Sequence, residues 1–335
     1  MAAIEIYKDS PIVPVMVAQA KGERVDSAVA DNAAKLIKDL ATNPTPHNRY
    51  QIGQLIAFSV NEILTPRTNW LDNIADVKRV GEGDKAQFKV KHEGIRAYIQ
   101  AKGATTARSK IAEKALTLDT VSVSARPVIN FVELRNGMQM SELIRDASYQ
   151  MELAEYGYIQ NVLDTAASAW ASPFYGSGSG VVKATIDPMI RYWMRVSGGA
   201  RPTVLGDIDM VSKLGELTGF TATTNTQWAP NLIDEQNRAG FVGVYNGANV
   251  VNLLNPIVEG TADEFIFDRK KLYILPSGID SAMRPLKVVF EGDVVAQEAT
   301  NIDDKSYEVR LDQFFGAAMV YGDRPYISVY ADTST

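Results

Sequence analysis

Across residues 138–170, apolar side chains recur mostly in steps of three or four: Met140, Leu143, Ile144, Ala147, Met151, Ala154, Tyr158, Val162 and Ala166. That spacing lays one apolar stripe along an α-helix. About 30 residues at 1.5 Å each make a helix roughly 45 Å long, more than twice the mean length in globular proteins. The stripe drifts and lacks a sustained 3.5-residue period with flanking charges, which excludes a coiled coil. A stripe of this length must be buried against something equally extended, either a sheet or a neighbouring subunit. Its predicted core is Leu143, Ala147, Met151, Ala154 and Tyr158.

The other segments are shorter. Residues 1–24 read as an irregular arm, because Pro11 and Pro14 interrupt helix and central-strand pairing. Helices are predicted over 26–40 and 48–64, separated by Asn43-Pro44-Thr45-Pro46 and ended by Pro66. Phe88 and Val90 alternate with Gln87, Lys89 and Lys91, and after His92-Glu93-Gly94 the residues Ile95, Ala97 and Ile99 alternate with Arg96, Tyr98 and Gln100. Period two on both sides of a glycine-containing turn predicts a β-hairpin, one with few neighbours able to cover it. Residues 116–132 are β-rich. Gly176 to Gly180, glycine alternating with serine, reads as a flexible break.

A helix over 185–196 with Asp187 as cap and Pro188 at its first position follows. Beyond it come a strand at 202–205, a helix at 208–217 and a helical stretch at 231–238. A hairpin turns on Asn246-Gly247. Strands are predicted at 272–275, 287–295, 307–311, 314–321 and 326–330. A length of 335 residues suits two domains or one domain with a large insertion.

Composition removes whole classes of chemistry. Without cysteine there is no disulfide framework, thiolate metal site or cysteine nucleophile. Two histidines, His47 and His92, cannot form a three-histidine metal site; His47 reads as a helix-start residue and His92 as part of the hairpin turn, not as catalytic bases. Gly81-x-Gly83-x-x-Ala86 imitates a dinucleotide fingerprint, but a strand rather than a helix follows it. Asp207 with Asp209, and Asp303 with Asp304, read as a helix cap and a solvated turn rather than calcium loops. No catalytic, cofactor-binding or metal-ligating residue is predicted. No apolar run reaches the length of a membrane span. The segment 11–20 ends in Ala18-Gln19-Ala20 but follows an acidic stretch, so it is not read as an export signal.

Charge is unevenly placed. The chain carries 34 Lys and Arg against 40 Asp and Glu, a net of −6. Residues 76–114 hold ten basic and five acidic side chains, a net of +5 that leaves −11 on the remainder. A basic projecting hairpin on an acidic body fits docking on an identical neighbour, with Lys85, Lys89, Lys91, Arg96 and Lys102 as contact residues. Direct contact with DNA is the weaker reading, because acids interrupt the basic run.

In order along the chain, these segments resemble the major capsid protein of tailed bacteriophages, the shell fold shared with the herpesvirus floor. The resemblance covers about residues 70–335. It rests on Lys85 to Lys91 with Gly94 to Tyr98, on Ser124-Ala125-Arg126-Pro127 with Phe131 to Leu134, on Arg201 to Gly206, and on Asn231-Leu232-Ile233 with Gly240 to Gly247. It implies an α+β fold in five parts: an N-terminal arm with two helices (1–75), an extended hairpin loop (76–114), a peripheral domain (115–199) with its spine helix (138–170), an inserted axial domain (200–286), and C-terminal strands completing the peripheral domain (287–335). It further implies hexamers and pentamers closing an icosahedral shell around double-stranded DNA contacted without sequence specificity. The setting would be the virion, assembled in the bacterial cytoplasm without a membrane.

About 70 residues before the hairpin are too few for both an arm and a scaffolding segment, so a separate scaffolding protein is expected, with a portal protein and a decoration protein as further partners. Some relatives join a hairpin lysine to an asparagine of another subunit. Here Asn301 sits beside two aspartates in a solvated turn, which keeps Lys89, Lys91 or Lys102 protonated, and no such bond is expected. A ring-forming tail or adaptor protein, or a hydrolase using carboxylates alone, remains open at this point.

Overall fold

The computed structural model describes residues 5–67, 71, 75–93, 112–129, 131, 134, 140–215, 217, 238–253, 255, 257, 263–265, 267–276, 284–300, 307–320 and 327–334. The predicted helix at 231–238 lies almost wholly outside them. Asn301, Asp303 and Asp304 lie outside them altogether.

The arm is not irregular. Helix α1 (Ile12–Ala20) begins directly after Pro11 and contains Pro14. Both prolines fall among the first positions, whose N–H groups have no intrahelical acceptor, so neither costs a hydrogen bond. Val13, Met16, Val17 and Ala20 are buried, and α1 packs on its own chain. Helices α2 (Ser27–Thr42) and α3 (Pro46–Arg67) follow, with the Asp26 side chain capping α2 at the Ala28 N–H, 2.9 Å away. The predicted spine is α4 (Met140–Ser168).

One sheet runs β1 (Ala75–Val80), β11 (Leu286–Thr300), β12 (Tyr307–Met319), β4 (Val121–Ala125), with β5 (Val128–Ile129) also pairing with β12. Only the β1–β11 pair is parallel. Tyr307, Val309, Leu311, Phe315 and Ala317 point inward at alternate positions of β12. Helix α3 covers β11, α4 covers β12 and β4, and α1 packs on both helices. The sequence pattern splits β12 at Asp312-Gln313. The strand continues because the Asp312 carboxylate accepts hydrogen bonds from Ser122, Ser124 and Arg310, which satisfies the buried charge.

The second sheet is ordered β6 (Tyr175–Gly178), β13 (Ser328–Asp332), β10 (Lys271–Leu275), β7 (Thr203–Gly206), β9 (Ala248–Asn252), β8 (Val244–Tyr245). Two helices, α5 (Lys183–Val196) and α6 (Ile208–Gly215), pack on it around the fully buried Trp193, whose Nε1–H donates to Ser328 Oγ at 2.7 Å. Asn246 and Gly247, with φ of 45° and 81°, make the predicted tight turn between β8 and β9. Strands from 175–178 and 328–332 thus extend one edge of those contributed by 200–286.

Two local expectations are corrected here. Glycines 176 and 178 form strand β6 rather than a flexible break. A Cβ on Gly178 would lie 2.6 Å from the Tyr330 hydroxyl and 2.7 Å from Val182, so glycine permits close packing. Helix α5 starts at Lys183, which leaves Pro188 inside it; Asp187 is a buried acceptor for the Tyr245 hydroxyl at 2.9 Å, not a cap.

The spine helix lies between the two sheets. On one side Tyr158 meets Phe315 edge-on at 5.7 Å. On the other, Gln160 donates to the Tyr273 hydroxyl at 3.0 Å, and that hydroxyl donates to Asp164 at 2.7 Å. Lys271 pairs with Asp164 at 2.8 Å. The cavity lined by Tyr156, Ile159, Leu163 and Phe267 measures about 20 Å³, room for one water and no ligand.

Candidate assembly surface

The third sheet is the hairpin, β2 (Gln87–Glu93) with β3 (Ala112–Thr117). Gln87 lies opposite Thr117 and Lys91 opposite Glu113. The observed partner of β2 is therefore β3, the alternating segment 95–100 lies outside the described residues, and His92 and Glu93 continue the strand where a turn is predicted. Period two marks both segments as strand-like, but pairing is decided by where the two strand feet are anchored. Residues 94–111, with Arg96 and Lys102, lie outside the described residues.

The feet are anchored on the face of the first sheet turned away from the helices. Phe88 is fully buried there, packed with Ala86, Val289, Val80 and Leu118. Lys287, 2% exposed, pairs with Asp76 at 2.9 Å and sits 5.7 Å from the Phe88 ring centre; Lys78 lies over the same ring at 4.8 Å. Burial lowers the Lys287 pKa against the opposing pull of Asp76. The outgoing loop presses on β12 so closely that a Cβ on Gly316 would lie 2.7 Å from the Asp119 carbonyl.

Glu291 fastens both loops. Its Oε1 accepts the Gly83 N–H at 2.9 Å and its Oε2 accepts the Thr120 hydroxyl at 2.7 Å. These two hydrogen bonds, with the nearby Lys85 charge, hold its pKa below the usual carboxylate value. The residue ends the regular β11–β12 register, and Gly292 beside it takes φ of 68°. One carboxylate therefore grips the hairpin where it leaves the sheet and where it returns.

Of the predicted contact residues, Lys85 and Lys89 are exposed, Lys85 on the incoming loop and Lys89 on β2 opposite Ala115. Lys91 is on β2, and its side chain lies outside the described residues. In the spine, Ala147 and Met151 are buried, and Leu143 and Tyr158 pack half-buried against the same core. Ala154 is exposed, which corrects its assignment to the core. The second sheet draws Tyr156, Ile159 and Leu163 inward, turning Ala154 to solvent. Sequence reasoning missed Glu291, and nothing local marks it: it is one acid within a strand. Phe88 and Lys287 carried a weak signal, a single aromatic and a single lysine inside strand patterns.

The family model described as "SPbeta prophage-derived putative capsid protein YonB" matches residues 5–329. The chain belongs to this capsid family. It is a structural protein of the tailed-phage capsid and virion, not an enzyme. Its fold is also that of solved shells at low sequence identity. The capsid protein superposes on the bacteriophage PhiM1 mature capsid with a TM-score of 0.53 at 12% identity, covering 78% of this chain and 86% of that one. For the capsid of a native GTA particle the values are 0.54, 11%, 78% and 89%. For the capsid of the cyanophage P-SCSP1u they are 0.51, 11%, 79% and 88%. No curated protein matches the chain.

Proposed function

We propose that this capsid protein assembles with itself into hexamers and pentamers that close an icosahedral shell around double-stranded DNA, the hairpin of each copy docking on the next. The observation that carries this reading is a hairpin locked at its root by Glu291 and Phe88 whose stretch bears +5 against −11 on the body. Rigid anchoring makes the hairpin an arm with a set direction, and the charge contrast steers that arm to a like copy. In this reading residues 115–199 and 287–335 form the peripheral domain and 200–286 the axial domain, with β6 and β13 of the former pairing into the sheet of the latter. Assembly takes place in the bacterial cytoplasm with a separate scaffolding protein and a portal protein, and a decoration protein is a further partner.

The test is a triple reversal, K89E, K91E and R96E. Yield of closed particles by negative-stain microscopy should fall, the far-ultraviolet circular dichroism of the subunit should not change, and the wild-type yield should itself decline with salt, since exposed charges are screened beyond roughly 8 Å at physiological ionic strength. Wild-type particle yield from the triple variant would overturn hairpin docking. Open rings from the unaltered chain would assign it to a tail or adaptor instead.

A further inference from the structure

Glu155 sits mid-way along the spine helix and is 1% exposed. Neither of its carboxyl oxygens has a hydrogen-bond partner. One turn before it on the same face stands Glu152, 8% exposed, whose Oε1 accepts the Tyr156 hydroxyl at 2.7 Å. A buried carboxylate without donor or cation is among the costliest groups a core can hold, and a second acid beside it adds repulsion.

The elements around α4 offer no relief. Helix α1 and strand β4 carry no titratable side chain. Helix α3 brings His47, Arg49, Tyr50, Glu62 and Arg67; β12 brings Tyr307, Glu308, Arg310 and Asp312; β13 brings Tyr330 and Asp332; β10 brings Lys271 and Tyr273. None of them acts on Glu155. Among the described residues the one charge that does is Glu152, and it favours the protonated form.

We propose that Glu155 is a proton-controlled switch: the long helix stays seated between the two sheets while this carboxyl is neutral, and loss of its proton loosens that seat. Burial first, and Glu152 second, push its pKa up to about 8, so the proton leaves just above neutrality. The folded state binds this proton more tightly than the unfolded chain. Stability is therefore full below the ordinary carboxylate pKa and falls as pH rises toward about 8.

The experiment compares the full wild-type chain with E155Q. Glutamine keeps the shape and stays neutral. Between the ordinary carboxylate pKa and about 8, the folding constant of wild type relative to E155Q should drop about tenfold per pH unit. Hydrogen exchange in α4, corrected for intrinsic rates, should accelerate across the same pH range in wild type and not in E155Q. An identical pH dependence in both chains would overturn the proposal. Should E155Q fail to fold, infrared titration of the wild-type chain decides. A protonated-carboxyl C=O band that persists near pH 7 and disappears by about pH 9.5 supports the switch, and absence of that band near pH 7 refutes it.

Discussion

At the scale of single residues, the fold rests on polar groups that find partners in space rather than in sequence. Asp312 survives in a buried strand because two serines of β4 and Arg310 surround it. Gly178 is a strand residue because the Tyr330 hydroxyl and Val182 leave no room for a Cβ. Met151 belongs to the opposite case, where the helical stripe alone predicts burial and the side chain is 1% exposed. Met151→Asp would place an uncompensated charge in the main core, at a cost of several kcal/mol. Insoluble protein should result, and soluble expression at the wild-type level would show that this side of α4 is not core.

At the scale of elements, the spine helix and the hairpin show opposite degrees of legibility. The predicted helix at 138–170 is observed as Met140–Ser168, because a three-to-four-residue apolar period is set by local geometry. The hairpin was legible only in its first strand. Segment 112–117 is the partner of β2, and segment 95–100 lies outside the described residues. Glu291 makes the anchoring of this hairpin testable. In Glu291→Ala both loops lose their shared acceptor, worth about 1 kcal/mol at this half-exposed position. The Gly83 amide should then exchange about fivefold faster while amides of α4 keep their protection. Unchanged exchange at Gly83 would mean that Phe88 and the Lys287–Asp76 pair hold the root alone.

At the scale of the whole molecule, one helix serves two sheets, and α1, read as an irregular arm on sequence grounds, completes the helical layer. For the assembled particle the chemistry predicts non-covalent cohesion. Lys85 and Lys89 are exposed rather than enclosed in the apolar pocket that activates a lysine nucleophile. Particles boiled in detergent should release a single band near the chain mass of 36.7 kDa, and a ladder of covalent oligomers would make the hairpin lysines reactive groups. The sequence by itself determined the helices, most strands, the basic hairpin stretch and the absence of cysteine chemistry, since period, turn residues and composition act over a few neighbours. Tertiary structure alone decided the partner of β2, the burial of Glu155, the exposure of Ala154 and the grip of Glu291 on the hairpin. Each of those depends on which surface a distant segment covers, and no local spacing encodes that.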